Sequence, residues 1–219
     1  MSGSILGKLQ EQIKAVCLAS SRQVDDIRLI AVSKGRSIDA IRDLYNQGVR
    51  DFGESKVQEA ESKQKELPQD IRWHLIGSLQ TKKVPKIIGK YHLIHSVDRL
   101  ELARKISGCS LEKGIVTSIL LQVNCSGELS KHGFSESNLI KLYPELAALK
   151  GVSIQGLMTM APELAHSSPQ IVSETFVRLT KLRDILGLQH LSMGMSQDYD
   201  LAIEAGATYL RIGSLLFPQ

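Results

Sequence analysis

Cysteine, aromatic residues and long apolar runs are all scarce in this chain, and each scarcity excludes something. The three cysteines, Cys17, Cys109 and Cys125, are far apart and odd in number. With no Cys-x-x-Cys and no paired histidines, they make neither a disulfide framework nor a metal site, and read as small buried residues in a reducing compartment. No stretch approaches the ~18 to 20 apolar residues of a membrane span. The opening MSGSILGKLQEQIKAV lacks the uninterrupted apolar core of a signal peptide, so a cytoplasmic protein is expected. An excess of one charge is missing too: 27 Lys and Arg stand against 23 Asp and Glu, a formal +4 spread along the chain. That balance favours a small anionic ligand over nucleic acid. Lys82, Lys83, Lys86 and Lys90 spread over more than one face of a helix, as a solvated helix does. His92, His132, His166 and His190 have no ligand-like spacing, and no metal is expected.

What is present is a regular alternation. An apolar fraction of 42 % is enough for one substantial core. Leu6, Leu9, Ile13 and Val16 predict an opening amphipathic helix over residues 5–20. Eight short apolar runs follow, at 29–33, 51–53, 72–77, 92–96, 115–124, 152–158, 190–194 and 208–213. Helical segments lie between them, among them 38–47, 55–66, 98–107, 135–149 and 170–187. The repeated β-then-α order predicts an α/β fold, a single (β/α)8 TIM-type barrel with an extra N-terminal helix. A doubly wound open sheet is the alternative, although no Gly-x-Gly-x-x-Gly follows the first strand. No linker or repeat divides the chain, and only SLLFPQ follows the last strand, so one domain over 1–219 is expected.

In such barrels the loops after the strands build the site. Lys34 follows the first strand, where partial burial would favour the neutral, nucleophilic amine, although a snorkelling surface lysine fits the position as well. Gly194-Met195-Ser196 and Gly213-Ser214 have the glycines and hydroxyls of the phosphate loops that follow the seventh and eighth strands. Ser196 also suits an N-cap for a helix starting at Gln197, and Asp198 and Asp200 in its first turn would repel a dianion unless they point away. Arg211, in the apolar run TYLRIG, needs an acceptor or the open mouth. Beside the ring nitrogen of a bound pyridine it would leave that nitrogen unprotonated. His74 and His95 are placed to shape the mouth, and Trp73 to fill the core.

The strings AVSK (31–34), RDFGES (50–55), VQEA (57–60), WHLIG-x-LQ (73–80), HSVDR (95–99), GLM (156–158), SMGMS (192–196) and RIG (211–213) strongly resemble the YggS/PROSC family, the pyridoxal phosphate homeostasis proteins. The match runs from about residue 29 to 216 in one order. The resemblance implies a monomeric barrel similar to the N-terminal domain of alanine racemase, the fold of type III pyridoxal 5'-phosphate (PLP) proteins. It implies PLP held as a Schiff base on Lys34, with Arg211 by the pyridine nitrogen and Ser196, Gly213 and Ser214 on the phosphate. Ser55, where the family has asparagine, and Met158 complete the implied cofactor-binding set, Ser55 with shorter reach and no amide.

The resemblance also implies a role in intracellular PLP (vitamin B6) homeostasis and amino- and keto-acid balance, with PLP-dependent enzymes or metabolic regulators as partners. A PLP-dependent racemase is the alternative. Its two-base chemistry needs a tyrosine from a second domain, and the chain ends before one could begin, so a carrier without robust turnover is expected. A Schiff-base aldolase on a phosphosugar normally has its lysine on a later strand.

Overall fold

The structure is a computed structural model that describes residues 3–128 and 131–218. Eight parallel strands close into a barrel in sequence order. They are β1 Arg28–Val32, β2 Asp51–Glu54, β3 Arg72–Leu75, β4 Leu93–Val97, β5 Thr117–Gln122, β6 Val152–Met158, β7 His190–Ser192 and β8 Tyr209–Ile212. Pairing of β8 with β1, which sets Arg28 opposite Tyr209 and Ile30 opposite Arg211, completes the ring. An open doubly wound sheet would leave those edges apart.

The helices are α1 Ile5–Ala19, α2 Ile38–Asn46, α3 Val57–Glu66, α4 Val84–Ile87, α5 Leu100–Glu112, α6 Glu136–Ala147, α7 Pro169–Leu186 and α8 Tyr199–Glu204. Local chemistry sets their ends. Serines cap α1, α2, α6 and α7, as Ser4 does by accepting from the Gly7 N–H. In α7 a proline stands at the first position and Gly187, at φ 64°, closes the last turn. α1 is the extra helix; it packs against α8 and buries Leu6, Leu9, Ile13 and Cys17. The lysine-bearing stretch after β3 is not one helix. Thr81–Lys83 form a 3-10 turn before the four residues of α4, Lys83 bonds Gln58 and Lys90 pairs with Glu61.

Because strand side chains alternate, each strand feeds two cores. The outward residues, among them Ala31, Phe52, Trp73, Ile94, Leu157 and Leu210, pack under the helices in the main core. All three cysteines are buried there. The inward set is smaller: Ile30, Leu93, Leu120, Met158 and Tyr209 make a separate cluster inside the barrel. Polar residues, several of them from the other strands, fill much of the remaining interior. Asp51, His74, His95, Ser192 and Arg211 are all buried, in a region that barrels of this kind commonly fill with branched aliphatic layers.

Candidate functional site

Lys34 lies one residue past Ser33 in a turn at the mouth, and it is exposed rather than partly buried. The burial expected from its position is absent because β1 ends at Val32 and the chain has already turned outward. What the site has instead is a rigid support. Ser33 donates from its N–H to the Gly53 carbonyl (3.0 Å) and from its hydroxyl to Glu54 Oε1 (2.6 Å). Lys63 Nζ donates to the Ser33 carbonyl (2.7 Å), Glu54 Oε1 (2.7 Å) and Glu59 Oε1 (2.6 Å), and Glu59 Oε1 accepts the Gly35 N–H (2.5 Å). The residues on either side of Lys34 are thus clamped, while its own amine forms no ion pair with the described residues.

Glu54 is fully buried, and its Oε2 has no partner among the described residues. Burial pushes its carboxyl up, partly offset by hydrogen bonds from Lys63 and Ser33. The sequence reading missed Lys63. Its signal was a lysine at position 63 in the i, i+3 series with Val57 and Ala60, which makes it the polar member of a buried stripe.

On the strand paired with β1, Arg211 of β8 is buried. Its Nη1 donates to Ser192 Oγ (2.8 Å) and its Nη2 to the Thr159 carbonyl (3.0 Å). A guanidinium has five N–H donors, so the others are left without a protein acceptor among the described residues. Burial lowers its pKa to about 10, and the nearby Asp198 carboxylate works in the opposite direction. The guanidinium therefore stays charged at neutral pH.

The loop after β7 differs from expectation. The helix starts at Tyr199 and Asp198 is its N-cap residue, so Ser196 is not the cap. Ser196 is free for a second role, and its Oγ accepts the Gly213 N–H (3.3 Å), tying the loops after β7 and β8 together. The acids are disposed differently from one another. Asp200 is exposed, whereas Asp198 is buried with Oδ1 turned onto the Met195 N–H (2.5 Å) and its carboxyl pushed up by burial. Gly194 is required: at φ 88° a Cβ would stand 2.6 Å from the Ala202 Cβ. Gly213 packs over Val32, and Ser214 beside it is exposed. The amides of Ser214 and Leu215 have no acceptor among the described residues.

The remaining expected residues are nearby but differ in depth. Ser55 is half-buried after β2; its carbonyl would lie 2.3 Å from a Cβ at position 77, so the loops after β2 and β3 meet closely over Gly77. Met158 is 1 % exposed within the interior cluster, beneath the mouth rather than on its rim. His74 and His95 are also interior residues, not mouth residues. Among the described residues no group of His, Cys, Asp and Glu is arranged to hold a metal, and no helix is long and apolar enough to cross a membrane.

Known proteins resemble this chain in sequence and fold. The family model for the alanine racemase N-terminal domain matches residues 6–218. A pyridoxal phosphate homeostasis protein of Aquifex aeolicus is 41 % identical over 221 residues, covering 98 % of this chain and 96 % of the relative. The solved structure of PipY of Synechococcus elongatus with PLP bound has a TM-score of 0.83 at 36 % identity, covering 94 % of this chain and 99 % of that one. An alanine racemase of Clostridium difficile shares the fold, with a TM-score of 0.72 at 14 % identity; the match spans 96 % of this chain and 57 % of the racemase.

Proposed function

The chain belongs to the alanine racemase N-terminal domain family and, within it, to the pyridoxal phosphate homeostasis proteins, and from that premise we propose that it binds PLP at the barrel mouth, covalently through Lys34, as a carrier in vitamin B6 homeostasis. Pyridoxal phosphate, when bound, supplies an aldehyde that condenses with amines and a ring that withdraws electrons from them. The residues present fit such a ligand. Lys34 offers an exposed amine on a turn held at both flanks. Ser196, Gly213 and Ser214, with the unpartnered amides of Ser214 and Leu215, suit phosphate oxygens. Met158 supports the ligand from below, and Ser55 lines the adjoining loop.

One observation carries the proposal: Arg211 is buried with N–H donors to spare, at the same end of the barrel as Lys34 and next to β1, the strand that leads into the Lys34 turn. A guanidinium donates a hydrogen bond to a ring nitrogen without surrendering its proton, so the ring remains a weak electron sink. That favours holding PLP over converting amino acids. Three buried free cysteines suit a reducing cytoplasm. Our reading includes a monomer that exchanges PLP with dependent enzymes.

The test is borohydride reduction of PLP-loaded protein followed by peptide mapping. A single pyridoxyl adduct on the Lys34 peptide is expected, with no alanine racemisation above background. Adducts scattered over surface lysines, or a protein that stays colourless with added PLP, would overturn the proposal.

A further inference from the structure

The polar residues inside the barrel form one continuous chain of hydrogen bonds. From Arg211 it passes to Ser192 Oγ (2.8 Å), then to His95 Nδ1 (2.8 Å), from His95 Nε2 to His74 Nδ1 (2.9 Å), and from His74 Nε2 to Asp51 Oδ1 (3.0 Å). At the opposite end of the barrel Arg72 grips Asp51 through two bonds of 2.8 and 2.6 Å. Asp51, His74, His95, Ser192 and Arg211 come from five strands, and each is buried.

The chemistry of the two ends fixes every hydrogen between them. Asp51 is a carboxylate: burial raises its pKa, but the bonds from Arg72 and His74 outweigh that and hold it well below the usual range. A carboxylate only accepts, so His74 carries its proton on Nε2 and its Nδ1 is a lone pair. His95 must then donate from Nε2, which leaves its Nδ1 as the acceptor of the Ser192 hydroxyl. Starting from the other end gives the same answer. Arg211 cannot accept, so Ser192 accepts from it and spends its one hydrogen on His95. Burial holds both imidazoles neutral, His95 well below its ordinary value with His74 and Arg211 adding to the effect. The other groups facing the pair are Tyr209, whose ring meets both imidazoles, and His92, Arg28 and Arg72 around His74.

We propose that Ser192, His95, His74 and Asp51 are positioning residues, a one-way hydrogen-bond relay through the barrel that fixes the plane of the Arg211 guanidinium at the mouth. Each hydrogen points away from the mouth and toward Asp51, so the relay has none to hand upward. Polarised by the buried carboxylate, Ser192 Oγ is a stronger acceptor than an isolated serine. Together with the Thr159 carbonyl it holds Arg211 on two sides, which leaves the remaining N–H groups aimed at the ligand. The consequence for a ring nitrogen rests on our reading of the mouth as the PLP site; the relay itself does not.

Long-range proton–nitrogen spectra of the ligand-free protein, labelled with 15N-histidine, test the relay directly. His74 and His95 should both show protonated Nε2 and bare Nδ1, unchanged from about pH 8 to about pH 7. A proton on Nδ1, or an imidazolium at either residue, overturns it. PLP titration then tests the consequence: Ser192→Ala should weaken binding about tenfold or more, and Ser192→Thr, which keeps the hydroxyl, should restore it to within about threefold. An unchanged Kd in Ser192→Ala overturns the positioning role. If the wild type takes up no PLP while the histidine pattern is as described, the cofactor reading fails and the relay stands.

Discussion

Replacing Lys63 by methionine removes the only cation bonded to a fully buried carboxylate among the described residues, Glu54, and does so without opening a large hole. Lys63 and Glu54 have side-chain exposures of 6 % and 0 %, so solvent screens neither partner. Deprived of Lys63, Glu54 escapes its burial penalty by taking up a proton. At pH 7 the variant loses about 1.4 kcal/mol for each pH unit above the folded-state pKa of the wild-type carboxyl, at most about 3.7 kcal/mol because that pKa already stands above an unfolded value of about 4.3. The figure falls within the ~3–5 kcal/mol typical of one-sided removal from a buried pair. For a chain of 219 residues the thermal midpoint should drop by about 7–15 °C.

The pH dependence carries the sign. Burial already raises the Glu54 pKa in the folded protein, and loss of Lys63 raises it further. A raised carboxyl gives stability at acid pH that is lost as pH rises, so the deficit of the variant should shrink by up to about 1.4 kcal/mol per unit as pH falls from 7 toward the raised pKa of the wild-type carboxyl. Urea unfolding followed by circular dichroism across that range measures it. The double variant Lys63→Met with Glu54→Gln should show a deficit that no longer grows as pH rises toward 7. A deficit in Lys63→Met that is flat between about pH 5 and 7, or below about 1 kcal/mol, would refute the reasoning.

Three further outcomes are expected. Lys34→Ala should leave stability within about 0.5 kcal/mol, because the side chain is exposed and unpaired among the described residues, yet abolish the borohydride adduct seen by mass mapping. Gly194→Ala should cost about 2–5 kcal/mol in urea unfolding, since it meets both a left-handed backbone and the Ala202 Cβ, and should release PLP in a retention assay. The wild type should lose stability as pH falls from about 6.5 to about 5, by up to about 1.4 kcal/mol per unit for each of His74 and His95. Their folded pKa values are depressed, so their contribution is complete above about pH 6.5; a level stability curve through that window would contradict their neutral burial.

The succession of strands and helices and the residue types at the mouth are written in the local sequence. Strand and helix periods depend on near neighbours in the chain, which is why all eight strands and the opening helix were legible, and β6 matched at both ends. The mouth followed from one rule, that loops after parallel strands share an end, and it placed Lys34, Arg211, Ser196 and Gly213 together. Ring closure, by contrast, is a contact between Arg28 and Tyr209, far apart in sequence, and no local period reports it. The exposure of Lys34 depends on where β1 stops, and the freedom of Ser196 on a helix that begins at Tyr199 rather than Gln197.

What stands behind the site comes from contacts between distant parts of the chain. Lys63 lies on α3, far in sequence from the Ser33 carbonyl it holds. Asp51, His74, His95, Ser192 and Arg211 become one chain because a closed barrel turns alternate residues of its strands inward. Buried polar groups must find partners wherever the fold brings them, and those partners belong to the geometry of the assembled barrel rather than to any local stretch of chain.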